Sequence, residues 1–167
     1  MLGKYYYHEV IRKTIIAFGT VFNNVHIKHN DADGTESDLK VAIAHGPVQK
    51  FLARLEQQPK LNKTVGLTLP RMSFEMTGIS YDASRKTAIT QTFKAVDSTD
   101  SKMKKVYMPV PYTLTFELNI LAKLNDDCLQ IIEQILPYFQ PSFNVTIDLV
   151  SAIAEKKDVP IVLENIS

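Results

Sequence analysis

Cysteine is nearly missing from this 167-residue sequence, in which Cys128 is the only one. A single cysteine cannot form a disulfide within the chain, so nothing indicates the disulfide-rich folds of secreted proteins. The first residues lack the apolar core and small-residue cleavage site of a signal peptide, and no apolar run approaches the roughly 18 residues of a membrane span. We therefore expect a protein of the reducing cytoplasm with no membrane partner.

A surplus of one charge sign is also lacking. Nineteen Lys and Arg stand against eighteen Asp and Glu, which gives a formal net charge of +1. A dedicated nucleic-acid binder would need a strong basic surplus to contact phosphates. Hydrophobic residues make up 45% of the sequence and charged residues 22%, as in ordinary globular proteins. The length suits one domain, so we expect residues 1–167 to form a single domain.

Motifs of catalysis and cofactor binding are absent too. The six glycines form neither a P-loop nor a dinucleotide fingerprint, and the sequence has no G-x-S-x-G elbow and no HExxH. His26 and His29 are three apart on a predicted strand, which places them on opposite faces and disfavours a shared metal. Cys128 falls on the apolar stripe of a predicted helix, as a core thiol does. The sequence predicts no catalytic residue, metal or cofactor.

Helical periodicity is present in three segments. Apolar residues recur at steps of three and four from Tyr7 to Phe22, from Val48 to Leu55 and from Cys128 to Phe139. Gly46-Pro47 is expected to open the second helix, because proline suits the first helical position. The sequence thus predicts about three helices.

The third helix has the clearest boundaries. Asn125 or Asp126 is predicted to cap its start, and Asp126 with Asp127 complements the helix dipole there. Pro137 lacks an N–H and disfavours a helical Leu136, while Pro141 prevents easy continuation. We expect the two prolines to turn the chain from this helix into the next strand, with Tyr138 and Phe139 packed at the corner.

Alternation of apolar and polar residues predicts the strands. The fold class that follows is α+β with a mostly antiparallel sheet. The predicted elements are a hairpin at 25–43 with its tip at 30–38, strands from near Pro70, at 112–124, at 143–149 and at 159–166, and a polar loop at 94–105.

The strand at 112–124 is unusually long. Thirteen residues span roughly 43 Å when extended, well beyond the usual five or six residues. Such a strand can outrun the sheet of its own domain and offer backbone groups to a neighbour.

Two small basic groups have two interpretations. In one, they are loop side chains that are solvated by water. In the other, they make electrostatic contact with an acidic surface of a partner protein. The residues concerned are Arg85, Lys86, Lys102, Lys104 and Lys105.

Residues 116–146, "FELNILAKLNDDCLQIIEQILPYFQPSFNVT", closely resemble a segment of the tail sheath stabilisers, or tail completion proteins, of T-even-type contractile-tailed bacteriophages. Weaker similarities occur in the expected order at "GKYYYHEVIRK", "VFNNVHIKH", "LPR" (69–71) and "KT" (86–87). The motif residues are interpreted as structural: Asp126, Asp127, Gln134, Pro137, Tyr138, Phe139, Pro141 and Phe143.

The resemblance implies a structural virion protein and not an enzyme. Members of that family form a homohexameric ring that caps the tail tube and the last sheath ring and meets the tail terminator and neck proteins below the head. The genome DNA would pass through the channel without sequence-specific binding. The protein would be assembled in the host cytoplasm and found at the top of the tail. The strand at 112–124 would help to build the ring, and segments 30–38 and 94–105 would contact other proteins.

Two alternatives remain open from the sequence. One is the related tail-tube terminator ring, and the other is a small-ligand-binding or enzymatic α+β phage domain. Family chains also continue past the strand that corresponds to "IVLENI". The sequence is therefore that of a short family member, or it lacks a C-terminal strand or tail.

Overall fold

The computed structural model describes residues 5, 7–30, 36–56, 68–96, 103–150 and 155–167. These residues form three α-helices, two 3-10 helices and nine strands. The α-helices are α1 (Val10–Val21), α2 (Val48–Glu56) and α3 (Asn125–Ile135), and the 3-10 helices span Ala83–Arg85 and Leu136–Tyr138. The strands are β1 (His26–Asn30), β2 (Glu36–Lys40), β3 (Ala42–His45), β4 (Arg71–Tyr81), β5 (Thr92–Val96), β6 (Met103–Tyr107), β7 (Tyr112–Leu121), β8 (Ser142–Val150) and β9 (Glu155–Val162).

Strand pairing confirms the predicted α+β class with mostly antiparallel sheets. β1 pairs with β2, β5 with β6 and β8 with β9, each pair antiparallel. β4 and β7 form a long antiparallel ribbon, from Arg71 opposite Leu121 to Tyr81 opposite Tyr112. β3 adds a parallel partner, but only along the first four residues of β4. The ribbon therefore continues well beyond the three-stranded part of its sheet.

The hydrophobic core lies where α1, α3 and β1 cover one face of this sheet. Phe18 of α1 stacks on Phe116 with ring centroids 4.4 Å apart and packs against Phe74 at 5.5 Å. Burial of each such side chain contributes about 1.5–3 kcal/mol. The buried members of this cluster are Phe18, Phe22, Val25, Ile27, Val41, Met72, Phe74 and Ile131.

Helix α1 buries less of its apolar stripe than its periodicity predicts. The helix begins at Val10, after Glu9 in a left-handed conformation with φ 57°. Phe18 and Phe22 are buried, whereas Tyr7 is 57% exposed and Ile11 47% exposed. The core thus covers only the second half of the helix. The first half of the stripe is left on the surface.

Both predicted boundaries of α3 were wrong in detail. Leu124 occupies the N-cap without a side-chain hydrogen bond, and Asp126 lies inside the first turn, where its Oδ2 accepts from Gln130 Nε2 at 3.1 Å. At the other end Leu136 is helical, with φ −56° and ψ −41°. The chain tightens there into a 3-10 turn that has Pro137 at its start. The missing proline N–H needs no partner at a helix start, so Pro137 fits the first turn of this 3-10 helix.

The strand boundaries shift in the same way. The predicted strand at 112–124 ends at Leu121, and the last strand begins at Glu155 and ends at Val162. The interpretation of 94–105 as a loop was wrong for its two ends, which belong to β5 and β6, while residues 97–102 lie outside the described residues. Of the predicted hairpin tip, residues 31–35 likewise lie outside them.

The β5–β6 hairpin continues the ribbon away from the core. The Asp82 N–H donates to Pro111 O at 3.2 Å, and the Met108 N–H donates to Gln91 O at 3.2 Å. β5 and β6 pack mainly on each other, and no other described element makes comparable contact with them. Residues 82–96 and 103–111 thus form a projecting segment, called the arm below. None of the described helices is long and apolar enough to cross a membrane.

Gly19 tests how tightly α1 packs on the sheet. A Cβ at this position would lie 2.7 Å from Phe74 Cζ and 3.0 Å from its Cε1. We expect Gly19→Ala to destabilise the fold by about 1–3 kcal/mol in urea unfolding, because overpacking outweighs the better helix propensity. At Gly78 the nearest atom would be 3.7 Å away, so Gly78→Ala should stay within about 0.5 kcal/mol of wild type. A Gly19→Ala chain more stable than wild type would contradict this packing.

Candidate functional site

Helix α3 closes one edge of strand β1 with two glutamine side chains. The Lys28 N–H donates to Gln130 Oε1 at 3.1 Å, and Gln130 Nε2 donates to Lys28 O at 3.2 Å. One turn later, Gln134 Nε2 donates to His26 O at 2.7 Å. The amide groups thereby take the place of a neighbouring strand. This gives the motif residue Gln134 a structural task, since it satisfies a backbone carbonyl on an exposed edge.

The two motif aspartates have different surroundings. Asp126 is exposed, whereas Asp127 is 4% exposed, and both lie in the first turn of α3. His29 Nε2 of β1 lies 3.4 Å from Asp127 Oδ1, but Oδ1 has no hydrogen bond of good geometry within the described structure. The free N–H groups and dipole of a helix start favour negative charge at this position. Asp127 therefore adds a second link between α3 and β1.

Aromatic rings fill the corner between α3 and β8. Phe139 stacks on Phe22 at 6.2 Å and lies tilted against Phe143 at 6.5 Å. Tyr138 meets Phe143 edge-on at 6.3 Å but is 67% exposed. Phe139 thus packs the corner, while Tyr138 shows most of its ring to solvent. The corner ends at Pro141, which follows Gln140 in a cis peptide bond.

A cavity of about 480 Å³ opens beside this corner. Its volume is within the range of small-molecule pockets. Its polar side chains are Asn24, Gln134 and Tyr138, and the described residues bring no carboxylate, histidine, lysine or thiol to it. The described lining is Val21, Phe22, Asn24, Val25, Gln134, Ile135, Pro137, Tyr138, Phe139 and Phe143. Such a lining supports apolar packing, and the Tyr138 phenol is the ionisable group among its described residues.

The far end of the β4–β7 ribbon carries uncovered apolar side chains. A bulge between Met76 and Gly78 inserts one extra residue into β4, which puts Ile79 and Tyr81 on the same face as Met76. Tyr81 and Tyr112 meet edge-on at 5.7 Å. Ile79 is 52% exposed, Tyr81 46% and Tyr112 53%. Residues Ile79, Tyr81 and Tyr112 are called the ribbon end below.

The predicted basic contacts divide into two groups on the arm. Arg85 Nε lies 2.5 Å from Asp82 Oδ2, so Arg85 is engaged locally, and Lys86 is exposed beside it. Lys105 of β6 is exposed and stands directly opposite Lys94 of β5. Lys104 lies in β6 opposite Ala95, and Lys102 lies outside the described residues.

Asp82 organises the turn that leads from the ribbon into the arm. Its Oδ1 accepts from the Ser84 hydroxyl at 2.6 Å and from the Ser84 N–H at 3.0 Å. The Ser84 hydroxyl and then the Arg85 guanidinium lower the pKa of Asp82 from 3.8 to about 2. Within the described residues, no group of three or more His, Cys, Asp or Glu side chains could hold a metal ion.

Residues 5–167 match the family of T4-like Myoviridae tail sheath stabilisers. The chain belongs to this family. It is also similar to the tail completion protein gp15 of Enterobacteria phage T4, with 32% identity over 166 residues. The match covers 95% of this chain and 60% of that relative, so the chain spans well under two thirds of the relative's length.

Two features of this chain were not found from the sequence. Lys94 was read as part of a loop, and its position opposite Lys105 depends on the register of β5 and β6. Ile79 and Tyr81 were included in a strand, but the bulge that places them beside Tyr112 has no clear sequence signal. The glycine at 78 was the only hint, since glycine inside a strand often marks a bulge.

The glutamine contacts of α3 predict a selective loss of stability. Gln130→Met removes both side-chain hydrogen bonds to Lys28 while keeping the helix propensity. We expect a loss of about 1–2 kcal/mol in urea unfolding, because the two bonds to Lys28 disappear together with the exposed one to Asp126. Glu133→Met is the matched control on the exposed side of α3 and should change stability by less than about 0.5 kcal/mol. Equal effects of the two substitutions would argue against the edge-closing role.

The Asp82 turn predicts an unusually acidic carboxyl group. NMR titration should give a pKa of about 2 for Asp82. Ser84→Ala should raise that pKa towards the ordinary value, because the strongest hydrogen bond is lost. Since the folded pKa lies below the unfolded one, any stabilisation by this turn is complete above the ordinary pKa and disappears as the pH falls towards about 2. An unchanged pKa in Ser84→Ala would contradict the assigned cause.

Proposed function

We propose that this chain is a structural virion protein that ends and stabilises the tail tube and contractile sheath as a ring of six copies. Family membership supports a structural role in the tail. The observation that carries the proposal is the apolar surface that the described part of the chain leaves uncovered at the ribbon end, where Tyr81 is 46% and Tyr112 53% exposed. Apolar side chains gathered on one face in this way are typical of a subunit that a neighbour covers.

The distribution of apolar side chains supports the same proposal. The ribbon end, the first half of α1 and the segment after β9 each expose apolar groups, among them Ile79 at 52%, Ile11 at 47% and Ile166 at 59%. Exposed apolar surface in several separate places is typical of subunits that associate. These surfaces differ from one another, so a head-to-tail contact can join two different ones, and such contacts generate closed rings.

Within the proposed ring, the near-neutral charge suits a channel through which DNA passes. A formal net charge of +1 gives little attraction to phosphates, so passing DNA would not be held. The tail tube, the sheath, the tail terminator and the neck proteins would bind the outer faces of the ring. The ring would occupy the top of the tail in the virion and would be assembled in the host cytoplasm.

The corner cavity does not favour the enzymatic alternative. A catalytic pocket needs ionisable groups at suitable positions and with suitable pKa values. Among the described residues the lining supplies no carboxylate, imidazole, amine or thiol, and the lowered pKa of Asp82 belongs to a turn outside that lining. The tail-tube terminator would also be a ring, and the match to the stabiliser family favours the stabiliser over it.

The mass of the purified protein in solution shows whether six copies associate into a ring. We expect native mass spectrometry and light scattering to detect a species of six times 18.9 kDa, growing with concentration or in the presence of isolated tails. Electron microscopy of that species should show a six-fold ring with an open centre. A chain that remains monomeric up to millimolar concentration and does not bind tails would contradict the proposal.

A further inference from the structure

Two pairs of like charges stand directly opposite each other on neighbouring strands. In the β4–β7 ribbon Glu75 faces Glu117, and in the arm Lys94 faces Lys105. Side chains at such positions are about 5 Å apart at Cβ, and like charges there destabilise the strand pair. The two pairs have opposite signs. Contact between the lysine pair and the glutamate pair would therefore remove the repulsion within both pairs.

Neither pair is neutralised within the described part of the chain. All ion pairs between described residues join residues other than these four. Glu117 Oε1 accepts a hydrogen bond from Asn119 Nδ2 at 3.0 Å, which brings no positive charge. Tyr81 lies six positions after Glu75 in β4, about 20 Å along the extended chain, and the arm continues from there. The lysines of one chain therefore project away from its own glutamates.

The face of the arm that carries the lysines is suited to protein contact. Alternation puts Thr92, Lys94, Met103, Lys105 and Tyr107 on this face. Met103 is 66% exposed and Tyr107 69% exposed. Tyrosine and methionine are enriched at protein interfaces, and an isolated two-stranded hairpin is at best marginally stable in water. The arm therefore needs an outside surface to hold it.

We infer that the arm of one copy docks on the ribbon of the next copy, where Lys94 and Lys105 pair with Glu75 and Glu117. This inference rests on the proposed ring and names one of its contacts. The contact joins two different surfaces, as head-to-tail association requires. Duplex DNA is the other polyanion that two lysines could bind, but the net charge of +1 provides no broad basic surface for it.

Charge exchange across the contact tests the inference. One double variant carries Lys94→Glu with Lys105→Glu, and the other carries Glu75→Lys with Glu117→Lys. Each should weaken assembly of the full chain at least roughly tenfold, because each places four like charges at the contact. The variant with all four substitutions should return to within about threefold of wild type. Assembly is measured by light scattering against concentration, and circular dichroism verifies that each variant is folded.

The matched control has the same change of charge elsewhere. Lys50→Glu with Lys123→Glu alters two exposed lysines outside the arm and the ribbon, and it should leave assembly unchanged. Added salt should weaken assembly of the wild type and of the four-substitution variant alike.

The outcomes separate this contact from the ring itself. If the wild type assembles and Lys94→Glu with Lys105→Glu assembles equally well, the contact is overturned while the ring stands. If each double variant fails and the four-substitution variant fails as well, the pairing of these residues is wrong. If the lysine variant assembles normally but loses binding to duplex DNA, the arm binds phosphate and the inference is overturned. A wild-type chain that never assembles overturns both proposals.

Discussion

The antiparallel pairing of β4 with β7 is the constraint on which the rest of this structure depends. Its inner half supplies Met72, Phe74 and Phe116 to the core beneath α1, and its outer half leaves the core and carries the arm. The extra residue in β4 is decisive for the outer half. Because side chains alternate between the two faces of a sheet, an insertion of one residue moves every later side chain of that strand to the opposite face. The bulge thereby gathers Ile79 and Tyr81 beside Tyr112 on one apolar surface.

The corner after α3 fixes the remaining elements relative to this ribbon. Gln130 and Gln134 bond to the backbone of β1, Asp127 lies against His29, and Phe139 reaches back to Phe22 at the end of α1. These contacts join parts of the chain about a hundred residues apart. Three residues of the family motif, Asp127, Gln134 and Phe139, thus contact β1 or the end of α1.

Incomplete burial connects the fold with the proposed assembly. A chain that folds alone gains by covering its apolar side chains and by separating its like charges. This chain leaves the ribbon end uncovered and sets two lysines, and two glutamates, directly against each other. Such features cost stability in the isolated subunit and become favourable when a neighbour supplies the missing surface. This pattern is the one expected of a subunit in the proposed ring.

The sequence by itself determined the α+β class, the three helices, most strands and the family, because these depend on local periodicity and on a long, specific motif. It also placed acidic residues in the first turn of α3. Tertiary structure decided the burial of half of α1, the glutamine contacts of α3 with β1, the bulge in β4 and the facing of Lys94 and Lys105. These features depend on which distant segments meet and in what register. Periodicity shows that a side chain is apolar, but only the packed chain decides whether anything covers it.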